Sequence, residues 1–181
     1  MVSGGMGHPR AGWDKVENRR IRYNGQGFSL RGEKDRFVLP PEFRKALRDS
    51  GDGDRVLCLQ VHETLPALVA FGLSRESELD NQLDREEEIA LQRGTAFNRQ
   101  LRASQLFGFT RLPFDDSGRF VMPPRFLKAA RIDDALFFQG AGSEFLIFNP
   151  AELAGLGDEW NHAKIGCEDC EAQARAAKGR K

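Results

Sequence analysis

Two arginines carry the first chemical signal. Arg36 and Arg119 each open an Arg-Phe-Val triplet after a turn-forming run, in DRFVLPPEFRKA (from Asp35) and GRFVMPPRFLKA (from Gly118). The stretches lie 83 residues apart (36 against 119) and share Arg-Phe-Val, Pro-Pro, a following Phe and Lys-Ala in register. A guanidinium can bond guanine O6 and N7 in parallel, or grip a phosphate. On a tight turn between two strands it is held outward by a stiff ribbon, the arrangement that lets β-ribbons enter a major groove. Asp115, four residues before Arg119, can hold it in one rotamer and reduce the entropy lost on binding, while Gly118 supplies the positive φ such a turn favours. The first copy has Gly32 where that Asp would stand and Asp35 where the Gly would stand. Asp35 can take a left-handed conformation at modest cost, but it is not placed to orient Arg36 in the same way. Arg119 is therefore expected to be the better reader. Lys34, Arg31, Arg44, Arg125 and Lys128 are candidates for phosphate contacts, which position a protein without specifying sequence. For each the alternative is an ordinary exposed charge, and for Arg36 and Arg119 it is a weak pair with a neighbouring acid.

Other reactive groups are sparse. Cys167-x-x-Cys170 with His162 nearby is half of a zinc pattern, with no second Cys-x-x-Cys, and reads as two free thiols in a loose tail. Cys58, His62 and Glu63 are close in the chain, and strand alternation would put the first two on one face. Nothing around them has the layout of a nucleophilic triad, and no phosphate-binding Gly loop of standard spacing is present. No catalytic residue, metal or cofactor is expected, and no small-molecule substrate.

The elements that must position the arginines follow from the same repeat. Phe37–Leu39 and Phe120–Met122 favour strands, each stopped by a proline (Pro40, Pro123) that cannot donate to a ladder. The next proline (Pro41, Pro124) suits the first turn of a helix. Short helices are predicted over Pro41–Arg48 and Pro124–Ala130, burying Phe43 with Leu47 and Phe126 with Ala130. Two further strands follow in each copy: Val56–Val61 and Leu68–Phe71, then Ala135–Gln139 and Glu144–Phe148. Gly140-Ala141-Gly142-Ser143 makes a plain hairpin loop, whereas His62–Pro66 contains no glycine and predicts a hairpin less clearly. Between the copies, Asp84 and Glu87 resemble a capping box opening a helix over 84–104, with Ile89, Phe97 and Leu101 on one stripe and Gly94 weakening its middle. Residues 1–23 read as a flexible basic arm and 157–181 as a flexible tail, with Trp160 packing on the core or ending a short helix. The resulting division is 24–83 for the first unit, 84–104 for the connecting helix and 105–156 for the second unit.

The charge balance is neutral, with 27 basic and 27 acidic residues, but it is unevenly spread. Met1–Arg48 holds eleven bases against five acids, and Ser74–Gln92 two bases against seven acids. That is the distribution of an anion-facing side and a solvated helical side. The Arg19-Arg20-Ile21-Arg22 run is either a solubilising tail or an arm on a nucleic-acid backbone. No long apolar run marks a signal peptide or a membrane span, and the three cysteines form no disulfide framework, so the chain reads as cytosolic.

The repeated turn–Arg–strand–Pro–helix unit resembles the MraZ family, whose halves each carry Asp-x-x-x-Arg within Asp-x-Lys-Gly-Arg-x-x-x-Pro. The second copy fits through Asp115, Gly118, Arg119 and Pro123; the first keeps Lys34, Arg36 and Pro40 but departs at Gly32 and Asp35. Arg99–Phe114 also has the family's alternation of arginine and apolar residues, and the resemblance covers about Gly27 to Leu153. It implies an α+β, mainly β fold: two tandem AbrB-like swapped-hairpin repeats forming a β-barrel with peripheral helices. It further implies a transcriptional regulator, a repressor associated with the division and cell-wall gene cluster including its own promoter. Such a protein would assemble as a homo-oligomeric ring on repeated boxes of double-stranded DNA and would be cytoplasmic and nucleoid-associated. The alternative is a ring-forming protein-interaction module that has lost DNA recognition, for which Gly32 and the neutral charge speak.

Overall fold

The computed structural model describes residues 20–180. Eight strands are present: β1 (Gln26–Leu30), β2 (Arg36–Val38), β3 (Val56–Val61), β4 (Ala67–Phe71), β5 (Thr110–Pro113), β6 (Arg119–Val121), β7 (Ala135–Gly140) and β8 (Phe145–Phe148). Among the described residues six α-helices join them: α1 (Pro41–Ser50), α2 (Glu76–Arg93), α3 (Arg99–Leu106), α4 (Pro124–Ala129), α5 (Pro150–Ala154) and α6 (Asn161–Lys178). Six strands form one antiparallel sheet in the order β1-β7-β8-β4-β3-β5, and β2 and β6 form a separate antiparallel ribbon.

The two copies of the motif interleave. β1 pairs with β7, β5 with β3, β4 with β8 and β2 with β6, so each strand of the first copy's set has a partner in the second. Only the β3–β4 and β7–β8 hairpins pair within a copy.

Strand alternation divides the core in two. Leu57, Leu59, Leu68, Ala70, Leu136, Phe138, Phe145 and Ile147 face one side, where Phe37, Leu39, Phe120 and Met122 of the ribbon and Phe43 and Phe126 of the helices meet them. Cys58, Ala67, Val69, Phe71, Phe137, Leu146 and Phe148 face the other, beneath Leu153 of α5 and Ala163 and Cys167 of α6. Burial on both faces explains why β4 and β8 are apolar without interruption (ALVAF and FLIF).

The helices behind the Pro-Pro pairs form as expected, with Pro41 and Pro124 in their first turns. Phe43, Leu47, Phe126 and Ala130 are all buried. The first hairpin closes without glycine because the His62 ring supplies the missing acceptor: its Nδ1 accepts from the Thr64 and Leu65 N–H groups, both at 3.1 Å. Gly142, at φ 85°, serves the second.

Four expectations are corrected. The connecting helix is two helices, and the first starts at Glu76, so Asp84 caps nothing. Buried Leu79 and Leu83 extend its apolar stripe towards the N-terminus. Gly94 lies at its left-handed C-cap (φ 64°), not in its interior. Asn98 then caps α3 by accepting from the Leu101 N–H at 2.9 Å. The acids of α2 keep to its solvent side, none of them buried, and Arg99 bridges Asp84 and Glu87 there at 2.6 and 2.5 Å.

The stretch 157–181 is not a loose tail where described: α6 buries Ala163 and Cys167 and packs on β1, so closely at Gly166 that a Cβ there would run into Gln26. Its signal was hidden because one small residue and one cysteine make its buried stripe. Trp160 ends a single helical turn and stands edge-on to Phe148, ring centroids 5.4 Å apart. The basic arm also ends earlier than residue 23, since Tyr23 is buried and bridges Gly142. Residues 1–19 of that arm lie outside the described residues.

Candidate nucleic-acid interface

The ribbon builds the site. Its register sets Arg36 opposite Val121, Phe37 opposite Phe120 and Val38 opposite Arg119. Directly opposed residues share a face and successive ones alternate. Phe37 and Phe120 therefore point inward, with ring centroids 6.2 Å apart, and anchor the ribbon in the core. Arg36, Val38, Arg119 and Val121 all point out and all are exposed. The two arginines sit on one diagonal of this patch, about 7–8 Å apart across the ribbon, and the valines occupy the other.

The second turn matches its expected geometry. Gly118 is at φ 82°, and a Cβ there would approach Arg44 Cδ to 2.9 Å and the Leu39 carbonyl oxygen to 3.2 Å, so glycine is required by both conformation and space. Asp115 Oδ1 accepts from the backbone N–H groups of Ser117 and Arg119, each at 2.9 Å, and Oδ2 accepts from Arg119 Nε at 2.8 Å. The Arg119 backbone N–H is the main reason the Asp115 carboxyl is held below the usual carboxylate range, and the Arg119 side chain adds to it. With Nε engaged by Asp115, the guanidinium's far edge is the part directed away from the turn.

The first turn keeps the frame and changes the contacts. The Gly32 N–H donates to the Arg36 carbonyl at 2.7 Å, as the Asp115 N–H donates to the Arg119 carbonyl at 3.0 Å. Asp35 takes the left-handed conformation of Gly118, at φ 58°, and Lys34 beside it is also left-handed. The Asp35 carboxylate turns to Arg31, whose Nε lies 3.0 Å away. Arg36 has no side-chain hydrogen bond among the described residues, so the two halves are unequal.

The outlying candidates divide. Arg31 is a brace, bound to Asp35 and, through Nη1, to the Asp133 carbonyl at 2.7 Å. The stem of Arg44 lies over the Gly118 turn and so borders the patch. Arg125 bonds Thr110 and lies 4.8 Å over the Phe126 ring. Lys34 and Lys128 are exposed and make no ion pair among the described residues. Residue reading alone missed Val38 and Val121; the signal was the Arg-x-Val spacing, which puts each valine on its arginine's face.

The geometry gives the other chemical clusters no common site. Cys58 is buried in the sheet, where desolvation pushes its thiol up to about 11. His62 closes a turn, and Glu63 pairs with Arg102. No three His, Cys, Asp or Glu side chains converge to hold a metal among the described residues. No helix there is long and apolar enough to cross a membrane.

No family model matches the chain. Similarity over most of the chain decides its kinship. The transcriptional regulator MraZ of Caulobacter vibrioides is 31% identical over 146 residues, 80% of this chain and 88% of the relative. The chain belongs to the MraZ family. The MraZ regulator of Ruegeria pomeroyi is 27% identical over 152 residues (77% and 86% of the two chains), and that of Pseudomonas syringae pv. tomato 26% over 128 residues (71% and 76%). These MraZ relatives are named as regulators of transcription and not as enzymes.

Proposed function

We propose that this MraZ family member is a sequence-specific DNA-binding regulator whose β2–β6 ribbon enters the major groove. The observation that carries the reading is the exposure of Arg36 and Arg119 on one face of that ribbon, with both phenylalanines anchored behind it. The Arg119 edge left free by Asp115 suits the parallel O6 and N7 acceptors of guanine. Lys34, Arg44 and Lys128 supply phosphate contacts, with smaller parts for Arg31 and Arg125, which are already engaged. The interleaved strands support the reading of 24–83 and 105–156 as two AbrB-like swapped-hairpin repeats, with the sheet and ribbon as walls of one barrel.

One patch with two arginines binds DNA weakly. A homo-oligomeric ring on repeated promoter boxes would multiply such contacts without adding new ones. In that arrangement the protein represses the division and cell-wall cluster that includes its own promoter, as a cytoplasmic, nucleoid-associated factor. The second reading, a ring-forming interaction module without DNA recognition, is favoured by the unheld Arg36.

Salt titration of binding to the DNA upstream of its own gene separates the two. The regulator shows a steep loss of affinity with salt and a preference over scrambled duplex. Arg119→Ala weakens that preference more than Arg36→Ala. Equal, weak binding to both duplexes at every salt concentration supports the interaction module instead.

A further inference from the structure

We propose that Val38 and Val121 are specificity residues that read the methyl groups of thymines beside the guanines taken by Arg36 and Arg119. The proposal rests on the DNA reading above. A single exposed valine on a strand needs no explanation, because valine suits a pleated surface. Here two are 44% and 52% exposed, both on the face that carries the turn arginines, and each is directly opposite one of them.

The geometry suits neighbouring base pairs. Directly opposed Cβ atoms are about 4.5–5.5 Å apart, while successive bases rise about 3.4 Å. A valine beside an arginine bonded to guanine thus reaches the major-groove edge of an adjacent pair. The one apolar feature there is the thymine C5 methyl, which apolar side chains read by contact. Val38 and Val121 have no polar atom to satisfy an amino group or carbonyl at that position, so a cytosine or purine edge would lose hydration for nothing. The patch is a two-by-two checkerboard in which arginine and valine exchange places across the ribbon. Each strand therefore offers the same pair in opposite orientation, and the preferred site has a guanine–thymine step in each half.

The test uses the full chain and duplexes enriched from a randomised double-stranded library. Thymines in the best duplex are replaced one at a time by deoxyuridine, which removes the methyl and keeps every hydrogen-bonding group. We expect replacement at the thymine beside each guanine to weaken binding about fourfold, and replacement elsewhere to have no effect. Val121→Ala and Val38→Ala, exposed and tolerant of truncation, should each bind more weakly and lose the response to one of these replacements. The protein is unchanged in the deoxyuridine arm, so misfolding cannot imitate the result. Tight, selective binding that ignores every deoxyuridine overturns the valine assignment and leaves the DNA reading standing. Failure to enrich any duplex overturns both.

Discussion

Replacing Gly32 with Asp would place in the first turn the carboxylate that the second turn already has. The frames are alike: in each, the residue four before the arginine donates its N–H to that arginine's carbonyl. Gly32 sits at φ −95° and ψ −176°, which any residue adopts. A Cβ there would lie 3.3 Å from the Arg36 carbonyl oxygen, so the turn must yield by a few tenths of an ångström. A free arginine loses up to about 2 kcal/mol of rotamer entropy when fixed. An exposed carboxylate pair recovers about 0.2–1 kcal/mol of that, so the expected gain in specific binding is about 1.4- to fivefold. The added negative charge opposes phosphate attraction and lowers the salt slope by up to about 0.9. The quantity to compare is therefore the ratio of affinities for the upstream duplex and a scrambled one, by fluorescence anisotropy at fixed salt. Gly32→Ala reports the crowding alone and Gly32→Asn removes the charge. A Gly32→Asp ratio no higher than that of Gly32→Ala, in a protein where Arg119→Ala has a clear effect, would refute the orienting role of the carboxylate.

Asp115 titrates below the usual value of about 3.9, so its contribution to the turn is complete above that value and is lost as pH falls through the depressed one; NMR should find no change in the turn between pH 5 and 8. Because the Arg119 backbone N–H is the leading cause and survives truncation, Arg119→Ala should leave part of the depression in place, and a midpoint restored to the ordinary value would contradict that order. Gly118→Ala forces a side chain into a left-handed position against Arg44 and Leu39, and chemical denaturation should show a loss of about 2 kcal/mol. Gly53→Ala, with nothing within 4 Å of its Cβ, should cost less. Burial pushes the Cys167 thiol up to about 12 and raises Cys170 less, so Cys170 should react first with a thiol reagent at pH 8. Cys167→Ser should destabilise by about 1–3 kcal/mol, and equal reactivity of the two thiols would show α6 to be undocked.

Much of the site was local and could be read from the sequence. Arg-Phe-Val sets the alternation of a strand, Pro-Pro ends it and starts a helix, and Gly118 with Asp115 encodes a turn within five residues. Those are short-range steric and hydrogen-bonding effects, so β2, β6, α1 and α4 followed directly. Even the unequal turns were legible, because Gly32 and Asp35 differ from their counterparts by residue type alone. The helical hairpin and α6 were less so. α2 begins at Glu76, well before Asp84, because Leu79 and Leu83 bind it to the body, and α6 is held by a stripe of Ala163 and Cys167 whose apolar character is weak until β1 lies beneath it. Tertiary structure alone decided that strands of the first half of the chain pair with strands of the second. Only the β2–β6 register brings Arg36 and Arg119, 83 residues apart in the chain, onto one surface with Val38 and Val121. Which edge meets which is set by the burial of Phe37 against Phe120, a contact between distant segments that no local pattern specifies.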